Sequence, residues 1–279
     1  MNRICDLHTH SYYSDGTASP AGILALAQEK GLSAVALTDH NTVQGLPEFL
    51  QAAQESGLRA VPGIEISTGY GGRELHIVGL FLQEAVWDRV TDYVSVINTR
   101  KEESNRRLIA ALRGLGYDLD LDDLKRKHKG NINRAIIAAE MVEKGYLPEI
   151  RDGFKGVLSA RNGVYVPPER IPALEAIAFL RSVGAVPVLA HPYLNLKQDE
   201  LERFIAEAKP CGLLAMETRY STYTPETTEA AVRTAAQYGL LESGGSDYHG
   251  GNKPDIDLGS GRGSLCVPAE LLTLLEKMQ

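Results

Sequence analysis

The sequence predicts an α/β protein, a barrel of β/α units interrupted by one helical insertion, and three observations predict it. Strand-like and helix-like segments alternate up to about residue 82, the signature of parallel β/α units. The alternation lapses between about 86 and 168, where the chain is more charged and largely helical, and resumes from 173. Six of the seven histidines, with several carboxylates, sit at the ends of apolar strand-like runs, where such barrels gather their reactive side chains.

Taken in order, a first strand over 4–10 runs into a loop over 11–20. A helix over 21–30 carries Ile23, Leu24, Leu26 and Ala27 on one face, and Gly31 supplies a left-handed C-terminal cap. A strand over 33–38 leads to a helix over 47–56 that stops at Gly57, then to a strand reaching Glu65 and a further apolar run at 75–78. Within the insertion, 90–115 and 135–144 read as helices. Helices over 174–183, 198–208 and 225–238 then alternate with strands over 186–190 and 213–217 and one leading to Asp247. The expected organisation is a catalytic barrel from 1–85 and 169–279, with 86–168 as a helical insertion domain covering the active site.

A chain of 279 residues that is 43% hydrophobic can bury the core of one such domain. Its net charge of −7 argues against a broad basic surface, so duplex nucleic acid is not an expected partner. The N-terminus shows no basic segment followed by an apolar one, and no apolar stretch approaches the ~20 residues that span a bilayer. A cytoplasmic location and no membrane partner are therefore expected. Cys5, Cys211 and Cys266 are too far apart for a C-x-x-C clip, which disfavours disulfides and thiolate metal sites.

Spacing within the strand-end runs carries chemical meaning. Residues i and i+2 of a strand share a face, so His8 and His10 can reach one cation, as can Asp247 and His249. Imidazole and carboxylate suit zinc, manganese and iron, and so many donors leave room for more than one ion.

The segments Asp6-Leu7-His8-Thr9-His10, Ser14-Asp15-Gly16, Leu37-Thr38-Asp39-His40, Gly63-Ile64-Glu65, His76, Ala190-His191-Pro192 and Gly245-Ser246-Asp247-Tyr248-His249 follow one another over nearly the whole chain. In this order they resemble the polymerase and histidinol phosphatase (PHP) family. The likeness is greatest to its stand-alone phosphoesterases, which include nucleoside 3',5'-bisphosphate phosphatases and 5'-to-3' exoribonucleases. The resemblance implies a distorted seven-stranded (β/α)7 TIM-like barrel and two to three divalent ions (manganese, iron or zinc). It implies a first ion on His8, His10, Glu65 and Asp247, and a second on Glu65, His76 and His191 with Glu65 bridging. Asp15, His40 and His249 would hold the third. These nine residues are the catalytic and metal-binding candidates. Paired ions acidify a shared water and neutralise phosphoryl charge, which suits a reaction as slow unaided as phosphate ester hydrolysis. The expected mechanism is in-line attack on phosphorus by a hydroxide that the ions share.

A phosphomonoester also calls for a cationic contact, and Arg134 leads the candidates because a guanidinium offers two-pronged hydrogen bonding. It opens the run Arg134-Ala135-Ile136-Ile137-Ala138, where family members often carry Arg-x-His-x-Ala, so Ile136 departs from the pattern. Asn41 likewise stands where relatives commonly carry Asp. Arg161 and Glu217 complete the substrate-binding candidates, with Lys155 and Arg219 behind them; Glu217, at a strand end, could instead partner a metal-bound histidine. Tyr12, Tyr13 and Tyr70 flank loops at the predicted mouth, and His128 lies in a charged run over 125–129 that reads as exposed.

The expected activity is hydrolysis of a small phosphorylated metabolite, with a nucleoside 3',5'-bisphosphate first. The alternatives are histidinol phosphate, a cyclic phosphate, or 5'-to-3' removal of nucleotides from short oligonucleotides. An amide hydrolase would more typically show a strand-end lysine bridging two ions, and none is present at those positions. A non-catalytic binding module would show degenerate ligands, whereas every ligand position here is filled.

Overall fold

The computed structural model describes residues 4–162 and 164–279. Its strands are β1 (Cys5–Asp6), β2 (Ala34–Leu37), β3 (Arg59–Tyr70), β4 (Arg73–Leu80), β5 (Ile171–Pro172), β6 (Val186–Leu189), β7 (Ala215–Tyr220) and β8 (Leu241–Gly245). They are ordered β1-β2-β3-β4-β6-β7-β8, with β5 added to β3. The first and last strands meet where Leu7 N–H donates to Gly244 O at 3.2 Å and His10 N–H to Tyr248 O at 2.9 Å. The result is a nearly closed seven-strand barrel wrapped by helices, as the sequence predicts.

One strand departs from the expected all-parallel pattern. β4 runs antiparallel to both β3 and β6. The cause is the two-residue turn Gly71-Gly72 between Tyr70 and Arg73, where both glycines have positive φ, the conformation that tight hairpins demand. Two placements expected from the sequence change with it. Glu65 lies in the middle of β3, not at a strand end, and His76 lies in the middle of β4.

Period-two alternation divides the strands between two apolar clusters. Ala34, Ala36, Val61, Val78, Leu80, Val186, Val188 and Ala215 belong to one, which is closed by Leu271, Leu272 and Leu275 of the C-terminal helix over Ala269–Glu276. Val35, Leu37, Ile64, Ile66, Ile77, Leu189 and Met216 belong to the other, against the surrounding helices. Glu65, His76 and Glu217 share strand parity with Val61, Val78 and Ala215 of the first cluster, so the same alternation that builds this core aims them at the mouth.

Helix α1 (Pro20–Glu29) begins at a Ser19 cap, and α2 (Leu46–Ser56) ends at Gly57 with φ of 70°, both close to expectation. The segment after β4 opens with α3 (Trp87–Gly114) and continues through α4 (Leu121–Lys127), α5 (Arg134–Glu143) and α6 (Ile150–Lys155). Leu108, Ile109 and Leu112 of α3 form a third apolar cluster with Leu124, Ile136, Ile137 and Met141, while Val90, Val94 and Ile97 pack into the barrel's outer core. One helix therefore serves both cores. Helices α7 (Ala173–Ser182), α8 (Gln198–Ala208), α9 (Pro225–Tyr238) and the C-terminal α10 complete the shell. Among the described residues, no helix is long and apolar enough to cross a membrane. The three cysteines are free, and burial pushes the Cys5 thiol up to about 12.

Candidate metal centre

All nine predicted ligands converge at one end of the barrel. The His8–His10 segment lies beside the Asp247–His249 segment because Asp247 N–H donates to His8 O at 2.9 Å and Thr9 pairs with Tyr248. His8 Nε2 and His10 Nε2 face each other at 3.1 Å. Asp247 Oδ1 is 3.2 Å from His10 Nε2. Glu65 spans the cluster: Oε2 lies 3.2 Å from His8 Nε2 and 3.3 Å from His10 Nε2, while Oε1 lies 2.8 Å from His76 Nδ1 and 3.1 Å from His191 Nε2. Asp15 Oδ1 is 3.1 Å from His249 Nε2.

The ligand groupings differ in part from those the resemblance implies. Donor atoms within 4.8 Å of one another form the groups His8–His10–Asp247, His8–Glu65–His191, His40–Glu65–His76 and His10–Asp15–His40–His249. His76 thus falls with His40, while His191 falls with His8, and His10 joins the Asp15 group. The donors fit divalent cations. Buried His10 Nδ1 and His191 Nδ1 have no hydrogen-bond partner among the described residues, and Asp15 Oδ1, His40 Nδ1 and Glu65 Oε2 face only other donors of the cluster without a well-directed hydrogen bond, an arrangement that is costly unless something engages them.

Electrostatics agree with this reading. Burial would raise the carboxyls of Asp15, Glu65 and Asp247, yet neighbouring histidines, and Lys253 for Asp247, outweigh it and hold all three well below the usual range. Burial would likewise lower His8 and His76. The Glu65 carboxylate reverses this for both, with Glu217 assisting at His8, and lifts His76 to about 10. His10 goes the other way, pushed down to about 4 by burial and by the neighbouring His249 and His40.

A buried polar layer orients the ligands. Glu217 Oε1 accepts His8 Nδ1–H at 2.8 Å, and its Oε2 accepts the backbone N–H of His191 at 2.6 Å. Tyr220 O–H and Lys253 Nζ each donate to Asp247 Oδ2 at 2.7 Å, leaving Oδ1 to the histidines. Asp39 takes Ser11 N–H and the hydroxyls of Ser11 and Ser14, holding the loop that carries Asp15. Asn41, His191 and Asp247 have φ of 52°, 28° and 56°, so backbone strain concentrates at the mouth.

Two cavities flank the ligands. One of about 250 Å³ opens beside Asp15, His40 and His76, and is lined by Lys101, Asn133, Arg134, Phe154, Tyr165 and Arg170. The Arg134 guanidinium sits 4.1 Å from the centre of the Tyr165 ring and 5.1 Å from that of Phe154. Arg170 pairs with Glu74 at 2.6 Å, while the half-buried Lys101 ammonium has no ion pair or hydrogen bond among the described residues, and burial lowers its pKa. The other cavity, about 260 Å³, is lined by His191, Asn195, Tyr220, Asp247 and Lys253.

Several predicted contacts lie elsewhere. Arg161 is exposed and lines neither cavity, because the short helical turn that carries it faces solvent. Glu217 is 1% exposed with both oxygens committed to His8 and His191, so it is no substrate contact and takes the other role open to it, that of partner to a candidate metal-binding histidine. Lys155 is exposed and Arg219 pairs with Glu242. Tyr12 and Tyr13 donate to Glu48, and Tyr70 donates to Glu207. Ile136 turns into the insertion's apolar core, so its position offers nothing to the cavity. Asn41 exchanges two hydrogen bonds with Ser67, and its left-handed backbone suits asparagine. Lys101, Arg170, Tyr220 and Lys253 were missed; none carries a local motif, since each arrives from a separate element.

A barrel whose mouth gathers nitrogen and oxygen ligands beside a cationic cavity is the scaffold of a metal-dependent hydrolase. The chain belongs to the PHP family of metal-dependent phosphoesterases, the PHP domain matching residues 6–165. It is 30% identical to a 5'-3' exoribonuclease of Haemophilus influenzae over 89% of this chain and 91% of that one. It is 28% identical to a 3',5'-nucleoside bisphosphate phosphatase of Chromobacterium violaceum, over 91% and 90% respectively. A solved structure from Chromobacterium violaceum, described as an amidohydrolase with bound sulfate and no metal, superposes with a TM-score of 0.87 at 26% identity, covering 98% of this chain and 96% of that one.

Proposed function

We propose that the protein removes a phosphoryl group from a small metabolite, with a nucleoside 3',5'-bisphosphate as the leading substrate, using two to three divalent ions held by His8, His10, Asp15, His40, Glu65, His76, His191, Asp247 and His249. The observation that carries the substrate class is the cavity beside Asp15 and His40, where Arg134 is stacked on Tyr165 and Lys101 presents a free ammonium. Two cations and two aromatic rings at one wall suit an anionic group attached to a planar base. When bound, divalent ions acidify water and offset charge on a phosphoryl group. The protein's part is to hold the histidine nitrogens and carboxylate oxygens in place through Glu217, Tyr220, Lys253 and Asp39. Arg134 and Lys101 orient the substrate, and residues 86–168 form the wall that covers this side of the mouth.

A second reading, 5'-to-3' hydrolysis of short oligonucleotides, is favoured by one further observation. A cavity of about 360 Å³ shares Lys101 and Asn105 with the first and continues past His128 to Lys129, with Lys125 paired to Glu102 at its wall, so that space for a further nucleotide adjoins the first cavity.

The test is hydrolysis by manganese-loaded protein of adenosine 3',5'-bisphosphate, AMP, histidinol phosphate, a cyclic phosphate and a short oligoribonucleotide, followed as phosphate release from the monoesters and as chromatographic products from the diesters, with Asp247→Asn as control. Selective release from the bisphosphate supports the leading reading. Mononucleotide products from the oligonucleotide, read by chromatography because a diester releases no phosphate, favour the second, and phosphate and mononucleotide yields both equal to the control's reject both readings.

A further inference from the structure

Asp15 stands in the loop between β1 and α1, and its two oxygens have different surroundings. Oδ1 lies 3.1 Å from His249 Nε2, while Oδ2 accepts a hydrogen bond from Asn133 Nδ2 at 2.7 Å. Asn133 comes from the distant helical segment, 118 residues away, and is buried. Its amide is committed at both ends, since Oδ1 accepts Ile136 N–H at 2.9 Å and so caps α5. Turning the amide over would set oxygen against the Asp15 carboxylate and NH₂ against an N–H, so its orientation is determined. The preceding residues are clamped from two sides. Asn105 of α3 donates to Ile132 O at 2.6 Å. Gly130 lies so close to the ligand loop that a Cβ there would stand 2.5 Å from the carbonyl oxygens of both Tyr13 and Ser14. Arg134, the next residue after Asn133, lines the same cavity as Asp15.

We propose that Asn133 is a positioning residue for Asp15, so that the helical segment completes the His10–Asp15–His40–His249 ion site. The inference rests on the metal reading above and extends it, because that reading draws every ligand and every orienting group from outside residues 86–168. A carboxylate anchored through one oxygen presents the other in a fixed direction, and outer partners of this kind are worth about 10–100-fold in metal affinity. The helix cap and the Asp15 bond can be separated experimentally. Serine caps a helix about as well as asparagine but is too short to reach Asp15.

The experiment is a calorimetric titration of manganese into the metal-stripped full-length chain, wild type and Asn133→Ser, with thermal unfolding of each. The expected result is an Asn133→Ser protein that unfolds at the wild-type temperature yet binds one manganese equivalent at least about tenfold less tightly, the others being unchanged. Gly130→Ala, which pushes the clamped segment off the ligand loop with Asn133 intact, weakens the same equivalent. Asn133→Thr, also a capping residue, takes the place of the serine variant should that one not fold. Wild-type manganese binding by the capped variants overturns the proposal, as does equal weakening of every equivalent. Failure of the wild-type chain to bind any manganese is a separate result, which rejects the metal reading itself.

Discussion

Glu217 determines which nitrogen of His8 faces the cluster. An ionised carboxylate only accepts, so its 2.8 Å contact to Nδ1 places the proton there and turns Nε2 toward Glu65 and His10. The other oxygen accepts the N–H of His191, whose backbone is held at a φ of 28°. Glu217→Gln sets an amide NH₂ against one of these donors. The expected outcome is about 10–100-fold weaker manganese binding with the fold retained, read by titration and circular dichroism. Unaltered binding would remove Glu217 from this role.

His8→Ala and Asp247→Asn are expected to abolish turnover without unfolding the barrel. Asparagine is preferred to alanine at 247 because the φ there is 56°, a conformation asparagine tolerates. Turnover and melting temperature measured together check this. Two variants with wild-type rates would mean the assigned centre is wrong.

Arg134→Ala is expected to raise KM and to lower kcat/KM by about ten- to a hundredfold, the worth of a charged hydrogen bond of ~1.5–3 kcal/mol. Arg161→Ala, at an exposed position, should change it little. Steady-state kinetics on the best substrate of the panel decides, and equal effects would withdraw the special role of Arg134.

Ion binding at neutral pH should release protons. His8 and His76 are held above their ordinary values, His76 at about 10, so both carry protons at pH 7 that a cation must displace. Asp15, Glu65 and Asp247 are held low and contribute none. Apparent affinity for manganese should therefore rise with pH above 7, and calorimetric heats should depend on the ionisation enthalpy of the buffer. Heats identical across buffers would contradict this charge state.

Much of the candidate centre was legible before folding because most of its side chains are attached to a local pattern. His8 with His10 and Asp247 with His249 are pairs at spacing two, and His40 and His191 close apolar runs. Glu217 also ends a predicted strand, which left it open as a substrate contact or as a partner of a metal-bound histidine, and its partners, 209 and 26 residues away, decided between the two only on folding. The antiparallel β4 had a sign that went unread: Gly71-Gly72 between two alternating runs is a hairpin signal. Ile136 shows the converse, since a motif position suggested a missing substrate contact while the helix's apolar face directs the residue inward.

By itself the sequence determined the alternating elements and the helical segment after residue 86, because periodicity is a local property of a chain, while its resemblance to the PHP family supplied the nine candidate ligands. Tertiary structure alone decided how the candidate ligands group, that Glu65 reaches both sets of histidines, and that Lys101, Lys253, Tyr220 and Asn133 stand around them. The reason is distance along the chain. Those contacts join residues from separate strands, helices and loops, and only closure of the barrel brings them within a few ångströms.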